Sequence, residues 1–320
     1  MILRFIFRRA LSGLLTMFAI SVVMFVLFYV APNDPARELA GPQATSDVVE
    51  QIQRRLGLDQ PLLDRFGRFL GHLLHGDLGY SYYSQRPVLD TILDRLPVTA
   101  SVAIGAAVLW TITGIPLGVT SARHPGSWRD RMGTTFVLAG LSFPTFVVGL
   151  LLLYFLFFRL TLLGIEWFPA GGYVPLTENP WEWARHLILP WFTVAFATAA
   201  TYARLTRGQM LEVFGEDYIR TARAKGLSER RVAYKHGLRS AVTPLFTQFG
   251  LDVAFLLGGL VVTEQIFGLQ GIGRLAVESV IRGDQPIIIG TVLFASAFVV
   301  VANIVVDVGY ALLDARVRIS

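Results

Sequence analysis

Six long apolar stretches constrain this chain more than any other feature. The hydrocarbon core of a bilayer is about 30 Å thick, and a helix of about 20 residues crosses it. Lipid offers no hydrogen-bond partners, so an apolar stretch of that length is expected to satisfy its own backbone as a helix. With 320 residues, 53% of them hydrophobic and only 16% charged, the chain has more apolar side chain than a soluble domain can bury. The sequence predicts an all-α polytopic membrane protein with six transmembrane helices, at residues 9–31, 97–121, 133–159, 187–206, 241–264 and 287–313.

The first stretch has an alternative interpretation as a cleaved signal peptide. Arg4, Arg8 and Arg9 precede an apolar run from Ala10 to Ala31. That run is longer than the apolar core of a secretory signal, and the Ala-Pro-Asn-Asp that ends it is a poor cleavage context. A retained first membrane helix is therefore the preferred prediction.

The distribution of arginine predicts the orientation, because short cytoplasmic loops are enriched in Lys and Arg. With the N-terminus in the cytoplasm, the short outer loops hold only Arg185, Arg274 and Arg282. Segment 32–96 carries seven arginines and nine acidic residues, but long segments cross the membrane largely regardless of charge. Both termini are expected in the cytoplasm. The predicted segments are 1–31 (tail and first helix), 32–96 (extracytoplasmic), 97–313 (membrane core with the cytoplasmic loop 207–240) and 314–320 (tail).

The extracytoplasmic segment is predicted to be a small helical domain. Pro61–Leu74 has apolar residues at helical spacing, with Pro61 at a first helical position, and a second short helix, Pro87–Leu96, is expected to stop at Pro97. His72 and His75 stand three residues apart near Asp77, which raises a metal site as an alternative. No further His or Cys completes a ligand set, so a structural role is preferred and no metal site is predicted. The apolar positions of the first helix are Leu62, Phe66, Phe69, Leu70 and Leu73.

The cytoplasmic loop 207–240 is predicted to hold two helices joined by a glycine elbow. A helix is expected from Asp217 to Lys225, with acidic residues at its positive end. Gly226 suits the left-handed residue that follows a helix, and Ser228 is expected to cap the next one. Ala222, Ala224 and Gly226 are expected to offer a surface that a partner can approach closely. A basic loop that merely obeys the charge rule is the simpler alternative, but that rule does not require two capped helices.

Several polar and glycine residues are candidates for a pore or gate. Asp252 lies within the fifth predicted span, where carboxylates are expensive, although structural pairing is the preferred interpretation for it and for Asp307. Pro144 is expected to kink the third span. Glycines after the fifth span, followed by a helix at 272–281, suggest either an external gate or an ordinary surface loop. The complete set of pore or gate candidates is Asp252, Glu264, Gly271, Gly273 and Asp284.

Catalytic chemistry finds little support in the chain. It has no cysteine, which excludes disulfides and thiolate chemistry. It also lacks the GxxxxGKS or GxxxxGKT phosphate loop, and no nucleophile–base pair or metal set lies within the spans. No catalytic residue and no cofactor are predicted on this chain, and its basic residues follow membrane topology rather than marking a nucleic-acid binder.

Long segments of the sequence resemble one family. The run GEDYIRTARAKGLSERRVAYKHGLRSAVTP resembles the ATPase-docking loop of ABC importer permeases of the dipeptide, oligopeptide and nickel type. LGLDQPLLDRFGRFLGHLLHGDLGYSYYSQRPVLDTILDRLP resembles the extracytoplasmic domain of their "B"-type subunits. GIPLGV, LSFPTFVVGLLLLYF, LILPWFTVAF and EQIFGLQGIGRLAVESVIRGDQPIIIG match further blocks in the same order. The general docking pattern begins Glu-Ala-Ala, where this chain has Arg220, Thr221 and Ala222.

The resemblance implies a non-catalytic subunit of a peptide importer in a prokaryotic plasma membrane. Its implied partners are a second, non-identical permease, cytoplasmic ATPase subunits that bind ATP and Mg²⁺, an extracytoplasmic binding protein, and membrane lipid. Nickel chelates or haem are alternative substrates, and an independent secondary transporter and an intramembrane enzyme are alternative functions. The residues implied in ATPase docking are Glu216, Asp217, Tyr218, Thr221, Ala222, Arg223, Ala224, Lys225, Gly226, Leu227 and Ser228.

Overall fold

The computed structural model describes residues 2–30, 35–41, 43–57 and 59–313. Within those ranges the regular elements are helices, and the β-structure is a single isolated bridge between Tyr80 and Pro87. Short π-helical segments, Val26–Val30, Leu153–Arg159 and Val232–Gly237, continue three of the helices. The helices are α1 (Ile2–Phe25), α2 (Pro35–Ala40), α3 (Ser46–Leu56), α4 (Leu62–Leu74), α5 (Val88–Arg123), α6 (Trp128–Ser142), α7 (Thr145–Leu152), α8 (Leu160–Leu162), α9 (Pro180–Phe214), α10 (Asp217–Ala224), α11 (Glu229–Arg231), α12 (Leu238–Ile266), α13 (Ile272–Arg282) and α14 (Gln285–Leu313).

The predicted class, an all-helical polytopic membrane protein, is confirmed. By length and composition, five helical stretches among the described residues could cross a membrane: Phe7–Phe28, Val88–Arg123, Thr145–Leu162, Pro180–Phe214 and Gln285–Gly309. The fifth predicted segment, 241–264, lies within the 29-residue helix α12, which is not one of those five. The count of six spans stays a prediction, and the predicted tail 314–320 lies outside the described residues.

Two prolines act differently from their predictions. The helix expected to stop at Pro97 continues as α5 through both Pro97 and Pro116. Proline removes one hydrogen bond from a helix, but Val98 and Val102 in the turns after Pro97 are buried, and this packing offsets the local penalty. At Pro144 the effect is larger than the predicted kink. Phe143 is extended, at φ −86° and ψ 124°, because a residue before proline avoids the helical region, so the third predicted span is two helices, α6 and α7.

Residue 207, at which the cytoplasmic loop is predicted to begin, lies within a helix. Helix α9 runs for 35 residues, from Pro180 to Phe214, without interruption. It begins where the Asn179 side chain accepts hydrogen bonds from the N–H groups of Trp181 and Glu182, and Pro180 occupies the first turn. The non-helical connection to α10 is therefore only Gly215 and Glu216.

The chain divides into two compact units, one of which contains Pro97–Gly273 and the part of α14 from Ala302 onward. Its most notable packing is a seam of small residues between α5 and α9. A Cβ added at Gly114 would lie 2.6 Å from the carbonyl oxygen of Ala199, and one at Gly118 would lie 2.6 Å from that of Ala203. Small residues spaced by four positions allow such close backbone approach in membranes, as the Ala-rich fourth segment led us to expect.

The other unit contains Leu3–Leu96 and Arg274–Val301. Helix α4 lies where the sequence predicts it, although Pro61 precedes the first turn rather than occupying it. The Phe66 ring lies 5.0 Å from that of Phe25 in α1, between centroids. Phe69 and Leu73 pack against a cluster that includes Met24 of α1 and Leu293 of α14. Phe66, Phe69 and Leu73 of the predicted apolar face are therefore partly buried within this unit, whereas Leu62 is exposed.

Candidate docking site and buried polar clusters

The glycine elbow predicted at Gly226 is present. Helix α10 begins after Glu216, and its backbone ends in two hydrogen bonds of the Schellman type. The N–H of Gly226 donates to the Arg223 carbonyl at 2.9 Å, and the N–H of Leu227 donates to the Ala222 carbonyl at 3.4 Å. Gly226 has a φ of +74°, a conformation that L-residues adopt at a cost. The direction of the chain after α10 is therefore determined by these two backbone hydrogen bonds and by the left-handed conformation of Gly226.

The start of the next helix differs in detail from the prediction. Ser228 stands at the capping position of α11, with φ −59° and ψ 142°, but its side chain makes no capping hydrogen bond. An ion pair across the elbow connects the two helices instead. The Arg223 Nε donates to the Glu229 Oε1 at 2.9 Å, and the Arg223 guanidinium also lies 5.5 Å from the centroid of the Phe214 ring. The contacts of Arg223 thus stabilise the elbow at its exposed surface.

One face of α10 is buried inside the chain. Ile219 and Ala222 pack in an apolar cluster with Met210 and Val213 of α9 and Val119 of α5. The expectation that Ala222 offers a surface to a partner is therefore wrong, because helical periodicity turns its side chain inward. The Tyr218 hydroxyl donates to the Ser240 Oγ at 2.7 Å, which ties α10 to the start of α12.

The opposite face of the loop is open to solvent. No atom lies within 4 Å of the place where a Cβ on Gly226 would stand. Leu227 is half-buried. The remaining residues of the predicted docking set are exposed: Glu216, Asp217, Tyr218, Thr221, Arg223, Ala224, Lys225, Gly226 and Ser228.

Three of the pore or gate candidates lie together in a tightly packed turn after α12. The Glu264 side chain is fully buried and accepts a hydrogen bond from the Thr99 hydroxyl at 2.7 Å. The Thr99 hydroxyl in turn accepts from the N–H of Ile272 at 2.8 Å. A Cβ on Gly271 would lie 2.1 Å from the Glu264 Oε1, and one on Gly273 would lie 2.8 Å from the Cα of Val261. The glycines allow the turn to close over a buried carboxylate.

Asp284 belongs to the other compact unit and is also buried. Its carboxylate accepts hydrogen bonds from the Ser81 hydroxyl and, at 3.1 Å, from the N–H of Tyr82. The Arg282 guanidinium lies 4.6 Å from the centroid of the Tyr83 ring. Asp284 therefore fastens the loop before α5 to the corner between α13 and α14.

Asp252 is half-buried in α12 and accepts a hydrogen bond from the Gln248 side chain at 2.9 Å. Its second oxygen, the Tyr202 hydroxyl and the Trp110 indole N–H are buried without a hydrogen-bond partner among the described residues. The rings of Trp110 and Tyr202 lie 6.1 Å apart, between centroids. Sequence reasoning singled out Asp252 but missed Trp110 and Tyr202, which come from helices distant in the chain.

The two histidines at the end of α4 have structural partners. His72 Nδ1 lies 2.8 Å from the Asp77 Oδ2, and His75 Nδ1 lies 2.8 Å from the Gly71 carbonyl oxygen. The N–H of Gly79 and then His72 lower the pKa of Asp77 by hydrogen bonding. Among the described residues, no group of three or more His, Cys, Asp or Glu side chains is placed to hold a metal ion.

Comparison with known proteins extends over almost the whole chain. Residues 114–319 match the family described as "Binding-protein-dependent transport system inner membrane component", and residues 2–103 match the N-terminal family of such membrane components. The chain is 40% identical over 316 residues to the glutathione transport system permease protein GsiC of Escherichia coli and to that of Shigella dysenteriae, covering 99% of each chain. It is 39% identical, with the same coverage, to GsiC of Salmonella paratyphi A.

The family places ATP hydrolysis on separate ATPase subunits, so this chain is not itself the enzyme. Its helices and its family indicate a multi-pass protein of the inner membrane. The 40% identity over 316 residues and both family matches agree with the resemblance seen in the sequence. The chain therefore belongs to the binding-protein-dependent transport system inner membrane components, as a permease subunit of an ABC importer of the dipeptide and oligopeptide type.

Proposed function

We propose that this chain forms half of the translocation path of a peptide importer and that residues 215–237 dock a cytoplasmic ATPase subunit. The observation that carries the docking proposal is the elbow at Gly226. Its inner face, at Ile219 and Ala222, is fixed to the chain by apolar packing, while the outer face is exposed. A preformed projection of this kind binds with little ordering cost.

The proposed assembly contains a second, non-identical permease, the ATPase subunits with ATP and Mg²⁺, and an extracytoplasmic binding protein. Peptides are the proposed substrate class because the similar GsiC proteins are named for glutathione, which is itself a small peptide. Competition on the purified binding protein of the same system tests this class. Di-, tri- and oligopeptides are expected to compete for binding, whereas tight binding of only nickel chelates or haem would contradict the peptide proposal.

The docking proposal is tested in the complete transporter with Gly226→Val and Ala224→Glu. Valine tolerates the left-handed backbone poorly and misdirects α11, and glutamate at position 224 adds bulk and charge to the exposed face. Both variants are expected to insert normally but to lose ATPase subunits during gentle purification. Gly208→Ala is the matched control, because Gly208 lies in α9 with no atom within 4 Å of an added Cβ. Normal ATPase retention and peptide-stimulated hydrolysis in both test variants would refute docking at this loop.

Ala222→Asp is unsuitable as a contact probe, since Ala222 is buried within the chain. A charge there is expected to disturb the packing of α10 itself, at a cost of about 1–3 kcal/mol or more if it stays unpaired. Loss of ATPase binding in that variant would therefore not distinguish a damaged contact from a misfolded loop.

The proposed orientation places both termini and the docking loop in the cytoplasm. The chain has no cysteine, so single cysteines introduced at Ser84 and Ser228 label without background. Ser84→Cys is expected to react with an impermeant reagent from outside, and Ser228→Cys only after permeabilisation. Outside labelling at position 228 would reverse the orientation and remove the docking proposal with it.

A further inference from the structure

A partly buried ion pair joins two helices near the docking loop. The Arg207 Nε of α9 donates to the Asp130 Oδ1 of α6 at 2.7 Å, and the Arg207 Nη2 donates to the Asp130 Oδ2 at 2.9 Å. This is the two-pronged geometry in which a guanidinium and a carboxylate fix each other's direction as well as their distance. The Asp130 side chain is 8% exposed and that of Arg207 36%, so water screens the pair only from one side.

Asp130 is also held by its own loop. Its Oδ2 accepts a hydrogen bond from the N–H of Gly126 at 2.9 Å, and its N–H donates to the Ser127 Oγ at 3.4 Å. The Ser127 side chain therefore accepts from the N–H of Asp130, and the Asp130 side chain accepts from the N–H of Gly126, so both satisfy backbone groups at the start of α6. The carboxylate is thus a rigid part of the corner between α5 and α6 rather than a mobile surface group.

Hydrogen bonding keeps both partners charged. Hydrogen bonds from the Arg207 guanidinium and from the N–H of Gly126 lower the pKa of Asp130. A carboxylate with a lowered pKa contributes stability above its ordinary pKa and loses it as pH falls through the lowered value. The pair is therefore intact at neutral pH.

Arg207 lies close to the part of α9 that carries the docking loop. It precedes Phe214, the last residue of α9, by seven positions, about 10 Å along a helix. Met210 and Val213, between those two residues, pack directly against Ile219 of α10. A displacement of α10 is therefore expected to move α9 at residues that lie within two helical turns of Arg207.

Helix α6 follows α9 beyond the pair. The Phe136 ring meets that of Phe196 edge to face, with centroids 5.4 Å apart, and a Cβ on Gly140 would lie 2.4 Å from the Cβ of Ala200. These contacts hold α6 close to α9 along this stretch, and the two-pronged ion pair fixes the two helices to each other at the start of α6. Past Ser142 the helix ends at the Phe143–Pro144 break.

We propose that Asp130 and Arg207 are positioning residues for coupling: their ion pair makes α6 and its loop follow α9 when the ATPase subunits move the docking loop. This inference rests on the proposed docking function. The two are tested by different measurements, since docking is read from ATPase retention and the ion pair from transport per ATP hydrolysed.

The test uses the complete transporter reconstituted in vesicles, with Asp130→Asn and Arg207→Lys. Asparagine keeps the shape but loses the charge, and lysine keeps the charge but loses the two-pronged geometry. Both variants are expected to retain their ATPase subunits and to hydrolyse ATP. Peptide transported per ATP hydrolysed is expected to fall about tenfold in Asp130→Asn, as for a typical coupling between two sites, and less in Arg207→Lys.

Two controls separate a coupling role from a general effect of charge or folding. Arg204→Gln removes an exposed arginine one turn earlier on α9 and is expected to leave transport per ATP unchanged. In the double variant Asp130→Asn with Arg207→Lys, the loss is expected to be no larger than in Asp130→Asn alone, because both changes break one link. Unchanged coupling in both single variants, additive losses in the double variant, or loss of the ATPase together with coupling would each overturn the inference.

Discussion

Gly226 and Gly271 each stand in a turn between helices, for opposite physical reasons. At Gly226 the backbone is left-handed, with φ +74°, and the space around a missing side chain is empty. At Gly271 a Cβ would lie 2.1 Å from the Glu264 carboxylate, so the turn has no room for any side chain. The first turn needs glycine for its backbone angle and the second for its small volume.

Gly226 therefore belongs to an exposed turn, and Gly271 belongs to a packed one. The turn at Gly226 keeps its outer surface free, which suits an element that presents itself to a partner. The turn at Gly271 closes over Glu264, which is fully buried and hydrogen-bonded to Thr99. Substitutions should therefore act on partner binding at the first turn and on folding at the second.

The largest effect is expected from Gly271→Val. Its methyl groups would displace the Glu264 carboxylate from a fully packed site, at a cost of about 1–3 kcal/mol for the overpacking and more if the carboxylate loses its partner. The melting temperature of the purified permease in detergent is expected to fall by several degrees. Gly208→Ala, where a methyl group has open space, serves as the control. A normal melting temperature for Gly271→Val would mean that the turn is not tightly packed.

The next effect concerns the Thr99 hydroxyl, which links the Ile272 backbone to the Glu264 carboxylate. Thr99→Val keeps the shape of the side chain but removes the group that donates to Glu264 and accepts from Ile272. The cost is expected to be about 1–3 kcal/mol, the usual penalty for buried groups left unpaired. Thr99→Ser restores the hydroxyl and should recover most of the stability. Equal losses in both variants would assign the effect to the missing methyl group instead.

A smaller effect is expected from Gly226→Ala, and almost none from Gly226→Asn. Alanine in a left-handed conformation costs about 1–2 kcal/mol, whereas asparagine visits that region more readily. Hydrogen exchange across residues 217–231 and retention of ATPase subunits measure the result. If alanine and asparagine behave alike, the backbone angle is not what selects glycine at this turn.

The smallest effect is expected at the ion pair between Arg223 and Glu229 across the elbow. Both Arg223 and Glu229 are substantially exposed, and exposed ion pairs contribute about 0.2–1 kcal/mol. Arg223→Gln should therefore leave ATPase retention nearly normal, and any difference from wild type should be largest at low salt, where the charge is least screened. A loss as large as that of Gly226→Val would show that the charge, rather than the shape of the elbow, dominates the contact.

Local rules predicted the elements whose causes are local. The left-handed turn at Gly226 follows from the residues around it, and the amphipathic pattern of α4 identified Phe66, Phe69 and Leu73. The same rules failed at Pro97, where buried neighbours keep the helix continuous. In each case the decisive factor is whether distant parts of the chain pack on the segment.

The ion pair between Asp130 and Arg207 could not be predicted from the sequence. Asp130 and Arg207 are 77 positions apart, and each looks like an ordinary charge near a membrane boundary. The burial of the Ala222 side chain could not be predicted from the sequence either. Spacing places its side chain on one side of α10, but only the surrounding helices decide that this side is the interior.

The small-residue seam between α5 and α9 restricts the ways in which the protein can rearrange. At Gly114 and Gly118 the backbone of α5 lies against carbonyl groups of α9, so any rearrangement that brought a larger side chain to either position would place it in a carbonyl group. We therefore expect this contact to resist sliding of one helix along the other. Alternating access in this subunit is therefore expected to be accommodated at other helix contacts, with α5 and α9 travelling together.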